Sequence, residues 1–271
     1  MRKIHVLMLC GLMAGACSSD EERLTENEVD DVITESLVDA YFEDTDDMAW
    51  VAVTSDDSPS KGGRLTSDDR FCASLDFSGN NQSGEIVLDF GNGCTDPRGN
   101  TRSGVIRLQY SGGPANYEGF TVQLTFEDYK VNGVLLSGTR TLRRLRSTDA
   151  GVIRHEITLE DGRAEWPDGS VSTRSSEFTR EIHLLGQAVF LYGHAEGQNR
   201  RGRAYAMQIN ETLVYKRQCV LSDGIYMAVD GVKTFTSGGK SMTIDYGSGE
   251  CDRTVTVTVG NGAVTNVAIG N

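Results

Sequence analysis

From Phe120 to Val131 apolar and polar side chains alternate, with Phe120, Val122, Leu124 and Phe126 on one face and Thr121, Gln123, Thr125 and Glu127 on the other. A period of two is the signature of a half-buried strand. Asn132-Gly133 follows at once, and a type I′ turn needs positive φ at both central residues, which this pair tolerates best. The chain is thereby committed to a hairpin whose second strand is Val134 to Arg146.

Further turn signals stand at Asp161-Gly162, Pro167-Asp168-Gly169, Gly186-Gln187, Asp230-Gly231 and Asn261-Gly262. They delimit strands over 151 to 160, 170 to 185, 188 to 197, 203 to 217, 225 to 236, 241 to 246, 253 to 259 and 263 to 269. No helical pattern lies between them to carry parallel crossovers, so an all-β antiparallel meander is expected. Ser170 to Glu181 is polar on both faces apart from Val171 and Phe178, which predicts a sheet reaching beyond a covered core. An open, curled or rolled sheet fits best; a lipocalin-like barrel and a two-sheet sandwich are the alternatives. Residues 48–271 are read as one β domain.

The start of the chain carries an address. Arg2 and Lys3 precede a run, Ile4 to Gly15, that is apolar apart from His5, and the small residues Ala14-Gly15-Ala16 lead into Cys17. At about 12 residues the run is too short for a permanent span, and it reads as a signal peptide over 1–16. Small residues running into a cysteine resemble the lipobox of bacterial lipoproteins, which implies that Cys17 is the lipidated first residue of the mature chain.

Charge is concentrated just behind it. Of a net −13, residues 20 to 47 contribute −12, with 13 acids against the single base Arg23, so the body is almost neutral. The overall acidity therefore describes the tether region and does not describe a nucleic-acid mimic. Residues 17–24 read as an acidic tether and 25–47 as a helix and linker. Thr25-Glu26-Asn27-Glu28 fits a capping box, with Leu24 and Val29 as its hydrophobic staple. Val29, Val32, Ile33, Leu37, Ala40 and Tyr41 then form an apolar stripe on an amphipathic helix of four to five turns, expected to dock on the body.

Cys10 leaves with the signal, and four cysteines follow Cys17. In an oxidising compartment they should form two disulfides. Cys72 and Cys94 bracket one strand unit, and Cys219 and Cys251 a second of similar pattern, which favours those two pairings. Zinc is disfavoured by the absence of Cys-x-x-Cys spacing and of nearby histidines.

Several segments also carry a resemblance. The start Cys17-Ser-Ser-Asp-Glu-Glu resembles the export signal of Bacteroidota surface lipoproteins, the plainer reading being a solvated leash. Asp89-Phe90-Gly91-Asn92-Gly93-Cys94, Thr125-Phe126-Glu127-Asp128-Tyr129 with Val131-Asn132-Gly133, Gly138-Thr139-Arg140-Thr141, and Asp245-Tyr246-Gly247 before Cys251-Asp252 are similar to segments of a Bacteroidota lipoprotein family. The resemblance covers about half the mature chain and implies an outer-membrane, surface-exposed location and a β fold. It implies no activity.

Nothing in the sequence assembles a catalytic site. His155, His183 and His194 all fall within expected strands, no Gly-x-Ser-x-Gly elbow occurs, and Gly239-Lys240-Ser241 lacks the leading glycine and the helix of a phosphate loop. Acid pairs such as Glu127-Asp128 and Glu160-Asp161 would serve glycan hydrolysis only opposite another carboxylate. The acids and asparagines over 89 to 100 fit no calcium loop. No catalytic residue, metal or cofactor is expected.

Binding is the better prospect. Arg140, Arg143, Arg144 and Arg146 crowd one strand and Arg200, Arg201 and Arg203 one turn, a candidate patch for an anionic glycan or acidic protein partner at the cell surface. The ordinary alternative is cross-strand pairing with Glu127, Glu156, Glu177 and Glu181. Trp50 and Trp166 are too few for an aromatic sugar platform. The expected function is a membrane-anchored, non-enzymatic binding module with no nucleic-acid partner; a barrel-like carrier of an apolar ligand is the alternative.

Overall fold

The computed structural model describes residues 24–54 and 71–269, apart from 224, 226 and 261. The signal segment, Cys17 and most of the tether lie outside the described residues. A helix, α1 (Glu26–Thr54), precedes fourteen strands: β1 (Ser74–Gly79), β2 (Gly84–Asp89), β3 (Cys94–Thr95), β4 (Thr101–Ser111), β5 (Thr121–Val131), β6 (Val134–Leu145) and β7 (Val152–Glu165); then β8 (Val171–His183), β9 (Ala188–Gln198), β10 (Ala204–Lys216), β11 (Asp230–Ser237), β12 (Lys240–Ser248), β13 (Thr254–Val259) and β14 (Val264–Ala268). A short helix, α2 (Arg217–Asp223), follows β10.

The strands form one antiparallel sheet in chain order, with the two-residue β3 set aside against β4. β1 and β14 are its two ends and do not pair, so the sheet is curled and open, neither a closed barrel nor a sandwich. The Asn132-Gly133 turn is as expected, with φ of 51° and 81° and Val131 opposite Val134.

Two expected turns are bulges instead. β7 continues through Asp161-Gly162, where the register with β8 shifts between Leu159 and Gly162, and Asp161 takes φ 51°. At Asp230-Gly231 the register with β12 shifts in the same way, and β11 begins at Asp230. Positive φ serves a bulge as well as a turn. Beside them Gly104 and Gly138 face bulged neighbours: a Cβ on Gly104 would lie 2.3 Å from the Asp128 carbonyl and one on Gly138 2.8 Å from the Gly162 Cα. Bulges and glycines in register across adjacent strands bend a sheet, and here they curl it around α1.

α1 is longer than the sequence predicted. After Asp47 the run Met48-Ala49-Trp50-Val51-Ala52-Val53 contains no breaker, so the helix extends into what was assigned to the β domain, reaching 29 residues. Its start is the expected capping box: the Thr25 amide donates to Glu28 Oε2 at 2.8 Å and the Glu28 amide to Thr25 Oγ1 at 3.4 Å. No residue from Glu28 to Val53 is exposed. The helix occupies the hollow of the sheet, and the core lies between them, where Phe42 meets Phe126 edge-on at 6.0 Å.

Enclosure also corrects the reading of β8. Ser172, Arg174, Ser176 and Phe178 are all buried, so this strand does not leave the covered region. Among its inward polar side chains, Arg174 meets Glu35 and Asp39 of α1.

Candidate functional site

By period two, Arg102 falls on the same face of β4 as Ile106 and Leu108, Arg140 on the face of Leu136 and Leu142, Arg174 on the face of Phe178, and Lys233 on the face of Phe235. Four cations thus point into the hollow, and all four are buried. The acids of α1 meet them. Arg140 grips Asp46 through two hydrogen bonds of 2.5 and 2.6 Å. Arg174 reaches Glu35 at 3.2 Å and also Asp39, and Lys233 bonds the same two carboxylates at 2.5 and 3.1 Å. Arg102 lies between Asp44 and Asp96, at 2.5 and 2.7 Å, with the Tyr129 hydroxyl at 2.9 Å. Such bidentate, charge-assisted contacts fix the rotation and axial position of α1.

The arginines proposed as an anion patch do not gather into one. Arg140 is committed to Asp46, and Arg201 and Arg203 to Asp31, with Asp30 also paired to Arg201. Arg200 pairs with Asp168 at 2.6 Å and lies over the Trp166 ring. Arg143 pairs with Glu156 at 2.7 Å, as cross-strand pairing predicts. Arg144 lies over Trp50, and Arg146 is exposed past the end of β6. The cross-strand reading missed the main partner, which is the acidic helix. Two signals pointed to it: the excess of 12 negative charges over 20 to 47, and the inward parity of the strand cations.

Both disulfides are formed as paired from the sequence, Cys72–Cys94 and Cys219–Cys251. The histidines do not converge. His155 is buried against Trp50, with ring centroids 4.5 Å apart; His183 lies beside Glu181 at 3.4 Å, and His194 is exposed. Asp96, within the asparagine-rich segment, is occupied by Arg102 and by the amides of Arg98 and Asn100. No metal-ligating cluster occurs among the described residues.

Beside α1 lies a cleft of about 1110 Å³, lined by apolar residues of the helix and by four of its acids, Glu43, Asp44, Asp46 and Asp47. Ile33, Leu37, Ala40 and Tyr41 line it; they belong to the apolar stripe expected to dock on the body. The far wall is mixed, with Ile153, Ile182, Val189 and Ile269 beside the basic side chains of Arg98, Arg180, Lys216, Arg217 and Arg253. From Ile33 to Trp50 the helix rises about 25 Å at 1.5 Å per residue, so the cleft is elongated.

Polar groups punctuate that lining at helical spacing. Ser36 is buried, and its hydroxyl has no hydrogen-bond partner among the described residues. Two turns on, Glu43 accepts a hydrogen bond of 2.9 Å from the Tyr215 hydroxyl. Burial, aided by the nearby Asp39, pushes the Glu43 carboxyl up to about 8. Asp47, on the next turn, is paired to Arg180 at 2.5 Å. An elongated cleft that joins apolar stretches to charged side chains suits an amphipathic small molecule. No protein-family model, curated protein or solved structure matches this chain.

Proposed function

We propose that this chain is a lipid-anchored envelope lipoprotein, exported by its leader and held by Cys17 at the outer membrane, whose body is a non-enzymatic binding module for an elongated apolar or amphipathic ligand. The cleft beside α1 is the binding site. One observation carries the reading: the helix pins itself to the sheet through its acids and leaves Ile33, Leu37, Ala40 and Tyr41 facing an open cleft. The helix fills the hollow with Val32, Val38, Phe42 and Met48, so these further apolar residues are not needed there and are left to the cleft. Two disulfides accord with an extracytoplasmic site of action. The arginines of the candidate patch are engaged within the molecule or dispersed, which leaves an anionic partner little to bind.

The test is binding of an environment-sensitive apolar dye, N-phenyl-1-naphthylamine, to the mature chain. Saturable fluorescence enhancement is expected, with loss of at least about tenfold in affinity for Leu37→Arg, because a charge in that wall must be desolvated by the ligand. Absence of saturable binding, or an unaltered affinity in Leu37→Arg, would remove the cleft as the site.

A further inference from the structure

The acids of α1 can be matched to cations one by one. Glu28 has Lys240, Asp30 and Asp31 share Arg201 and Arg203, Glu35 and Asp39 share Arg174 and Lys233, Asp44 has Arg102 and Arg98, Asp46 has Arg140 and Asp47 has Arg180. From Glu28 to Asp47, Glu43 is the acid left over: among the described residues no cation lies within 4.0 Å of it, and its one partner is the Tyr215 hydroxyl. It lines the cleft, where a carboxylate without a counter-ion is costly. Ser36 lines the same cleft two helical turns away, about 10 Å by the helical rise. Arg98, Lys216, Arg217 and Arg253 also line the cleft, but among the described residues none of them lies within 4.0 Å of Glu43, so the place beside that carboxyl is open to a cation from outside.

We infer that the ligand of the cleft is a cationic amphiphile, an alkyl chain bearing a protonated amine, whose ammonium group pairs with Glu43 while its chain lies along Leu37 and Ile33 towards Ser36. The inference rests on the cleft reading proposed above and adds the head group. The groups facing Glu43 are Asp39 and Asp47 from its own helix, Arg180 of β8, Arg140 of β6 and Tyr215 of β10, with Tyr246 of β12 behind that tyrosine. Arg180 and Arg140 are held by Asp47 and Asp46, so they do not neutralise Glu43. In the free protein the Glu43 carboxyl holds its proton below about 8. An incoming ammonium favours the ionised form, so the proton leaves for solvent as the amine enters.

Isothermal titration of the mature chain with decylamine, decanol and decanoate, each below its micellar concentration, decides the matter. Decylamine should bind at least about tenfold more tightly than decanol, as a buried charge pair warrants. At pH 7 it should release protons, read from the dependence of the apparent enthalpy on buffer ionisation. Glu43→Gln should abolish both the preference and the release. Equal affinity for amine and alcohol, tighter binding of decanoate, or a preference that survives Glu43→Gln would overturn the inference while the cleft stands. If none of the three binds, the cleft reading fails and this inference with it. Should the variant not fold, proton release and the amine preference of the unaltered protein decide alone.

Discussion

The two faces of the sheet use the same chemical pair, arginine with carboxylate, in opposite settings. On the inner face the side chains of Arg174 and Glu35 are each 3% exposed; on the outer face those of Arg143 and Glu156 are 49% and 43% exposed. Outside, water screens the attraction and the pair is worth little. Inside, neither charge can be left without the other, because the uncompensated ion would remain in a medium that solvates it poorly. The inner pairs thus act as locating pins between helix and sheet, whereas the outer ones are ordinary solvent-facing decoration.

Removing one inner cation should break this contrast most visibly. Arg174→Ala leaves Glu35 and Asp39 with Lys233 alone and should lower the unfolding free energy by about 3–5 kcal/mol in urea titration. A loss below about 1 kcal/mol would make the inner pairs equivalent to surface ones.

Two buried groups sharpen the contrast through pH, with opposite signs. Burial, aided by the charges of Arg180 and Arg144, pushes His155 from its ordinary 6.5 down to about 3. Between those values the unfolded chain binds the proton and the folded one does not, so stability present at neutral pH is lost as the pH falls from 6.5 towards 3. His155→Phe should flatten that acid limb in thermal melts across the range. Glu43 is raised from 4.5 to about 8, so the folded chain binds more protons in between, and stability falls as the pH rises through that window. Glu43→Gln should therefore gain on the unaltered protein from pH 5 to pH 9; a constant difference would mean that Glu43 ionises normally.

The smallest effect belongs to the outer face. Arg143→Ala should change stability by less than about 1 kcal/mol, and 0.5 M salt should remove even that. A larger loss would show that curvature of the sheet depends on its outer ladder as well.

Much of the frame could be read from local chemistry. Asn132-Gly133 specifies its hairpin because few other pairs accept two positive φ angles, and Thr25 with Glu28 specifies a helix start because the two groups satisfy each other. Both disulfides followed from cysteines at corresponding places in two strand units. Asp161-Gly162 misled because the φ that closes a hairpin also opens a bulge, and only the partner strand distinguishes them. β8 misled for a related reason: Ser172, Arg174 and Ser176 look solvated until the surface they face is known to be acidic. The cleft was least legible. The stripe from Ile33 to Tyr41 was visible, but an apolar stripe carries no mark of whether protein or ligand covers it.

The position of α1 in the chain has a kinetic consequence. The helix is made first and enclosed last: its bond from Glu35 to Arg174 spans 139 residues and that to Lys233 spans 198. Loops of such length close slowly, and antiparallel sheets rich in distant contacts are late folders. While β11 and β12 are still unmade, Glu35 and Asp39 lack Lys233 and Glu28 lacks Lys240, and Ile269 is missing from the far wall of the cleft. The order of the elements along the chain therefore postpones closure of the sheet around the helix until its later strands have been made.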